Sequence, residues 1–121
     1  MPSILVVDDE PDVRLLIRII LEREGHQVSE AADGAEAIEL TDRIDPDLIL
    51  LDIRMPGVDG WEVLERLKAD GRLSKTAVIM ISAHTTPTVA QQALELGCRA
   101  FITKPFRAQD VTATINDVLS S

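Results

Sequence analysis

The chain has little of what would build a disulfide-bonded, membrane-spanning or secreted protein. Its 121 residues include one cysteine, Cys98, which excludes an internal disulfide and is typical of a reducing cytoplasm. No apolar run approaches the ~20 residues of a membrane span. The N-terminus lacks the basic start and long apolar stretch of a signal peptide. We therefore expect a cytoplasmic protein without membrane insertion.

Basic and aromatic residues are also scarce. Lysine and arginine number 12 against 21 acidic residues, a formal net charge of -9, and the aromatic residues are two Phe and one Trp. An acidic chain repels phosphate backbones, and few aromatic rings leave few surfaces on which bases stack. We expect no direct binding to nucleic acid. The length fits one domain over residues 1–121, and we expect no second domain after it.

Short apolar runs alternate with helical patterns along the whole chain. The runs predicted as strands lie at 4–7, 27–31, 48–51, 77–81 and 99–103. Asp33, Asp59 and Thr86 stand where helix N-caps are expected. Alternation of this kind predicts an α/β fold, a parallel sheet with helices on both faces.

The first predicted helix is apolar over a wide arc. The stripe with helical spacing consists of Val13, Leu16, Ile17, Ile20 and Leu21, whereas Leu15 and Ile19 lie off it. We interpret the arc as a broadly buried helix. A partner surface is the less favoured alternative.

The central predicted strand ends in a single carboxylate, Asp52, and a turn-rich segment with Pro56, Gly57 and Gly60 follows. In open parallel α/β sheets, ligands bind outside the carboxyl ends of the strands. An aspartate there can also be only a cap or turn residue. The ends of the other strands decide between the two.

Those ends carry residues of matching chemistry: Asp8 and Asp9 after the first strand, Ser82 after the fourth and Lys104 after the fifth. Parallel strands deliver all of them to one edge. Clustered carboxylates resist ionisation unless a cation is supplied. Mg²⁺ typically uses one or two carboxylates and shares phosphate oxygens. The pattern predicts a Mg²⁺ site that receives a phosphoryl group.

Each residue then has a predicted role, because phosphoryl transfer needs a nucleophile, charge neutralisation and positioning. Asp52 is the candidate nucleophile and phosphorylation site, forming an aspartyl phosphate. Asp8 and Asp9 are candidate metal ligands, directly or through water. Lys104 and the Ser82 hydroxyl are placed to hold phosphoryl oxygens.

Four segments carry a resemblance to a known family: VVDDEP at 6–11, LLDIRMPGVDG at 50–60, ISA at 81–83 and FITKPF at 101–106. Together they resemble the receiver domain of bacterial two-component response regulators, over essentially the whole chain. The chain is similar to the chemotaxis-type single-domain members. The resemblance implies a doubly wound (βα)5 fold with the flavodoxin-like strand order 2-1-3-4-5. It also implies one receiver domain over residues 1–121, without an effector domain.

The resemblance further implies that Asp52 accepts phosphate from the phosphohistidine of a histidine kinase or phosphotransfer protein. Mg²⁺ would be bound by Asp9, Asp52 and the backbone carbonyl of Arg54, with Asp8 assisting. The Lys104–Pro105 bond would be cis. Such a chain assists its own phosphorylation and dephosphorylation but is not an enzyme with a separate turnover substrate.

Ser82 and Phe101 are the expected switch residues, where many relatives carry Thr and Tyr. They would signal to a separate output protein through the fourth and fifth βα units, from a monomer or weak dimer. Arg54 and His84 occupy positions that flank the path of the attacking water in this family, which suggests a long-lived phosphoryl group. Whether the chain is a switch or a phosphoryl shuttle stays open.

Other classes fit the residues less well. A haloacid-dehalogenase-type phosphatase needs a second Asp two residues after its nucleophile, and here that position is Arg54. A flavodoxin would cradle the flavin phosphate in a Ser/Thr/Gly loop after the first strand, where this chain has acids that repel phosphate. A purely structural scaffold would not account for converging acids and a lysine.

Overall fold

The computed structural model describes residues 2–83 and 86–120. Five strands form one parallel sheet in the order β2-β1-β3-β4-β5. The strands are β1 (Ser3–Val7), β2 (Gln27–Ala31), β3 (Leu48–Asp52), β4 (Ala77–Ser82) and β5 (Ala100–Thr103). The helices are α1 (Pro11–Arg23), α2 (Gly34–Ile44), α3 (Gly60–Ala69), α4 (Pro87–Glu95) and α5 (Ala108–Leu119), and a 3₁₀ turn spans Arg72–Ser74. The predicted α/β class and strand order are confirmed.

Helices α2, α3 and α4 begin where the capping residues predict. Asp33 accepts a hydrogen bond from the backbone N–H of Glu36 at 2.8 Å, and Asp59 accepts one from Glu62 at 3.0 Å. Thr86 does the same for Val89 at 3.2 Å. Each cap satisfies a donor that the first helical turn leaves without a partner.

The core has two layers because alternate strand residues point to opposite faces of the sheet. Leu5, Val7, Ile49 and Leu51 pack with residues of α2, α3 and α4, whereas Ile4, Val6, Leu48 and Leu50 pack with α1 and α5. The central strand β3 is buried throughout. Its last residue is therefore delivered to a fixed point at the sheet edge.

The prediction that α1 is broadly buried is wrong. Leu15, Leu16 and Ile19 are 56%, 49% and 41% exposed, and only Ile17, Ile20 and Leu21 are buried. The helix packs against β1, β2 and α5, which cover one arc of its surface. Its opposite side has no layer over it among the residues that the structure describes.

Two glycines allow close packing beneath the loop that follows β3. A Cβ on Gly60 would lie 2.4 Å from the carbonyl oxygen of Asp52, and one on Gly34 would lie 2.2 Å from that of Val58. Real Cβ atoms do not approach backbone this closely, so both positions require glycine. The loop is held against the end of β3 and the start of α2.

Within the described residues, no helix is long and apolar enough to cross a membrane.

Candidate functional site

The carboxyl ends of β1, β3 and β5 bring two carboxylates and one ammonium into contact. Asp8 follows β1, Asp52 ends β3, and Lys104 follows β5. The Lys104 Nζ lies 3.0 Å from Asp8 Oδ2 and 3.2 Å from Asp52 Oδ2. Asp8 is 1% exposed and Asp52 5%. One ammonium therefore joins two buried carboxylates at the edge where the sequence places them.

Backbone donors fix the other oxygen of each carboxylate. Asp8 Oδ1 accepts a hydrogen bond from the N–H of Glu10 at 2.9 Å, and Asp52 Oδ1 accepts one from the N–H of Arg54 at 3.2 Å. With Lys104 on the remaining oxygens, both side chains have a defined orientation. An oriented carboxylate is a better nucleophile or ligand, because less freedom is lost in the reaction.

The segment after Asp52 is anchored by alternate side chains. Ile53 and Met55 are buried in the core, while Arg54 between them is exposed. The N–H of Ile53 donates to the carbonyl of Ile81 at 3.0 Å, and the N–H of Gly60 donates to the carbonyl of Ile53 at 2.9 Å. These bonds keep the main chain at Arg54 next to the carboxylates.

An open cavity borders the same loop on its outer side. It is lined by Ile53, Arg54, Met55, Pro56, Asp59 and Trp61. Trp61, in the first turn of α3, is partly buried against the core on that face of the sheet. The indole and the segment that follows Asp52 therefore line the same cavity.

Glu10 is a member of the acidic cluster that the sequence analysis did not assign. Carboxylate oxygens of Asp8, Asp9 and Glu10 lie within 4.8 Å of one another, with Asp8 buried and the other two exposed. The Lys104 Nζ is 3.9 Å from Glu10 Oε1. The sequence signal for Glu10 was its position directly after Asp8 and Asp9, as the third of three consecutive acidic residues.

This donor set fits Mg²⁺. Carboxylates of Asp8, Glu10 and Asp52 surround the ammonium of Lys104, and the Asp9 carboxylate adjoins those of Asp8 and Glu10. Oxygen ligands and an excess of negative charge are what a hard divalent cation requires. The exposed side of the cluster, at Asp9 and Glu10, leaves room for the waters that Mg²⁺ retains.

The cluster shifts the pKa of both central groups. Burial and the charge of Asp8 raise the pKa of Asp52 to about 6, against the opposing effect of Lys104. Burial lowers the pKa of Lys104, but the hydrogen bond to Asp8 and the charge of Asp52 outweigh it, so its pKa lies above the ordinary value. Without a metal ion, the ionised Asp52 is therefore held at a cost.

This unfavourable free energy of ionised Asp52 predicts that Asp52→Asn stabilises the fold when a chelator keeps the site free of metal. A carboxyl with a raised pKa binds its proton more tightly when folded, so stability falls as pH rises from the ordinary value of 3.8 to about 6. At neutral pH the substitution removes the ionised group. We expect the free energy of unfolding to rise by about 2 to 3 kcal/mol. Denaturant titrations at about pH 4 and pH 7 measure this. An advantage equal at both pH values would contradict the assignment.

Ser82 and Phe101 lie on neighbouring strands. Ser82 ends β4, is buried, and pairs in register with Thr103, while its carbonyl accepts a hydrogen bond from the N–H of Lys104 at 2.9 Å. Phe101 pairs with Met80 and packs, partly exposed, on the α2–α4 side of the sheet.

The Lys104–Pro105 bond is cis, as the resemblance implies. Of the two residues expected to flank the site, Arg54 is exposed and His84 lies outside the described residues.

Comparison with known proteins identifies the family. A family model for the response regulator receiver domain matches residues 4–116. The chain belongs to the response regulator receiver family. Receiver domains are signalling modules of two-component phosphorelay systems rather than turnover enzymes, and they bind Mg²⁺ at an acidic pocket. They interact with histidine kinases or phosphotransfer proteins.

Individual relatives agree with this receiver assignment. Sporulation initiation phosphotransferase F of Bacillus subtilis is 34% identical over 117 residues, which cover 97% of this chain and 93% of that protein. The DNA-binding dual master transcriptional regulator RpaA of Synechocystis sp. is 36% identical over 119 residues, or 98% of this chain and 49% of that protein. The chain thus spans about half the length of RpaA and of several other relatives.

A solved receiver structure has the same fold. The chemotaxis response regulator CheY4 of Vibrio cholerae superimposes with a TM-score of 0.91 at 28% identity, covering 98% of each chain. The likeness extends over all five βα units of this receiver domain.

Proposed function

We propose that this receiver domain accepts a phosphoryl group on Asp52 from the phosphohistidine of a histidine kinase or phosphotransfer protein. The observation that carries the proposal is the Lys104 ammonium, which bridges the buried carboxylates of Asp8 and Asp52. A carboxylate oxygen of Asp52 attacks phosphorus and forms a P–O bond. The P–N bond breaks, and the leaving imidazole nitrogen keeps its electron pair.

The surrounding groups meet the remaining needs of phosphoryl transfer. Asp8, Asp9, Asp52 and the backbone carbonyl of Arg54 are the groups that would hold Mg²⁺, which supplies positive charge for the phosphoryl oxygens when bound. Lys104 adds a second positive charge. Ser82 ends the neighbouring strand β4, and its hydroxyl would donate a hydrogen bond to a phosphoryl oxygen.

Intact mass spectrometry after incubation with acetyl phosphate and Mg²⁺ tests the whole site. We expect a base-labile adduct with the mass of one phosphoryl group per chain. Chain without any adduct, under conditions in which the folded protein is intact, would reject the proposed function. An adduct that survives alkaline treatment would mean an acceptor other than a carboxylate.

The phosphorylated state would act on a separate protein through the fourth and fifth βα units. Ser82 and Phe101 lie on adjacent strands, so movement of the Ser82 hydroxyl towards a phosphoryl oxygen affects the packing next to Phe101. A hydrogen bond to a charged group contributes roughly 1.5–3 kcal/mol. That is enough to bias a two-state element by about tenfold or more. Phe101 has no hydroxyl, so packing alone sets its preferred position.

Backbone amide shifts on adding a metal-fluoride phosphoryl mimic with Mg²⁺ test this switch. We expect changes in α4, β5 and α5 as well as in the loops around Asp8, Asp52 and Lys104. Changes confined to those loops would reject the switch. They would favour a phosphoryl shuttle, which is consistent with the name of the phosphotransferase relative. The mimic without Mg²⁺ is the control.

A further inference from the structure

An arginine at the start of α1 ties the metal-binding edge to the outer strand of the sheet. The Arg14 Nη1 donates a hydrogen bond of 2.6 Å to the carbonyl of Asp8, and its Nε donates one of 3.1 Å to Glu30 Oε1. The Arg14 side chain is 16% exposed. The guanidinium thus spans from the edge strand β2 to the end of β1.

Glu30 has a second arginine on its other oxygen. Arg18, one helical turn after Arg14, forms an ion pair with Glu30 Oε2, donates to the carbonyl of Val28 at 3.3 Å, and bonds to Glu22 at 3.3 Å. Both oxygens of Glu30 are therefore used. A carboxylate held by two charged partners is a stiff anchor for Arg14.

The contact completes the support of Asp8. Its N–H donates to the carbonyl of Ala31 at 3.2 Å, and its carbonyl accepts from Arg14, so both sides of its main chain are fixed. The peptide that Arg14 holds leads directly into Asp9, whose carboxylate lies in the acidic cluster. Arg14 therefore holds the main chain that joins two proposed metal ligands, Asp8 and Asp9.

Glu30 also determines where the positive charge of Arg14 lies. The guanidinium stays protonated at all ordinary pH values. It lies beside the cluster of Asp8, Asp9 and Glu10, which attracts any mobile cation. Released from Glu30, Arg14 would turn towards these carboxylates and compete with a divalent ion.

We propose that Arg14 and Glu30 are positioning residues of the metal site: Glu30 holds the Arg14 guanidinium on the Asp8 carbonyl and away from the acidic carboxylates. This inference rests on the proposed function, because it assumes that the cluster binds Mg²⁺. It adds that edge strand β2, which contributes no ligand to that cluster among the described residues, determines metal affinity.

Isothermal titration with Mg²⁺ tests the pair, with Glu22→Gln as the matched control. Glu22→Gln makes the same charge change and removes a partner of Arg18, but it leaves the hydrogen bonds of Arg14 to Glu30 and to the Asp8 carbonyl intact. We expect Glu30→Gln to raise the Mg²⁺ dissociation constant about tenfold, the usual effect of losing support for a metal ligand. Glu22→Gln should change it by less than about twofold, the scale of a screened surface charge.

A double-mutant cycle separates the pair from general loss of stability. In an Arg14→Gln background, Glu30→Gln should have no more effect than Glu22→Gln, because the arginine that it restrains is gone. Arg14→Lys keeps the charge but lacks the fork that reaches both partners, so it should raise the dissociation constant as Glu30→Gln does. Saturating Mg²⁺ should restore the rate of phosphoryl labelling by acetyl phosphate in Glu30→Gln and in Arg14→Lys.

The outcomes are distinguishable. A wild-type chain that does not bind Mg²⁺ would reject the metal site, and this proposal with it. Normal wild-type binding with equal affinities for Glu30→Gln and Glu22→Gln would overturn the positioning pair alone. So would an effect of Glu30→Gln that persists in full without Arg14.

Discussion

Asp52→Asn is expected to abolish phosphoryl labelling completely. Asparagine has nearly the same shape and can still accept the hydrogen bond that the Arg54 N–H gives to Asp52 Oδ1. It lacks the charged oxygen that attacks phosphorus, so the acceptor chemistry is lost while the fold is kept. Asp52 ends the buried central strand, and the backbone carbonyl there packs on Gly60.

Labelling of the wild type, Asp52→Asn and Asp70→Asn in parallel by acetyl phosphate measures this. Asp70 caps the far end of α3, is exposed, and pairs only with the exposed Arg66 in the contacts described, so its substitution should leave labelling unchanged. A wild-type amount of adduct on Asp52→Asn would assign the phosphoryl group to another residue. Peptide mapping of that adduct would then identify it.

Removing divalent cations is expected to stop labelling almost as completely. Asp8, Asp9, Glu10 and Asp52 leave the site with an excess of negative charge after Lys104 is counted. An incoming phosphoryl donor adds more. A divalent ion contributes several kcal/mol to stabilising the charge of a phosphoryl transition state. Losing about 3 kcal/mol lowers the rate by about 100-fold.

The measurement is the labelling rate in excess chelator and after Mg²⁺ is restored beyond the chelator concentration. We expect the rate to fall at least about 100-fold and then to recover. Recovery is the control for damage by the chelator. An undiminished rate in chelator would mean that Lys104 alone neutralises the donor.

Much of the fold follows from local sequence signals. The strands β1 and β3 are continuous apolar runs, and Asp33, Asp59 and Thr86 cap helices by contacts three residues away. Such signals are read directly because cause and effect are adjacent in the chain. The strand order needed the family resemblance, since apolar periodicity does not say which strands are neighbours.

The errors and omissions concern contacts across the fold. Periodicity predicts an apolar stripe on α1 but not how much of the helix the sheet and α5 cover. Leu16 on the stripe is exposed for that reason, as are Leu15 and Ile19 beside it. The bridge from Arg14 to Glu30 joins residues 16 positions apart on different elements. No spacing rule for one helix or strand can identify such a pair. The sequence shows that Glu10 is acidic, but not that it belongs to the cluster. Its place there depends on the turn in which the Glu10 N–H donates a hydrogen bond to Asp8.

Trp61 gives the chain an optical property that follows from its place in the fold. It is the only tryptophan, and the sequence has no tyrosine. The near-ultraviolet emission therefore comes from one indole in the first turn of α3, at the cavity that also contains Arg54. Any rearrangement of the segment after Asp52 changes the surroundings of this single chromophore. Stopped-flow emission can thus follow events at the sheet edge in real time, with no dye attached and no second emitter to subtract.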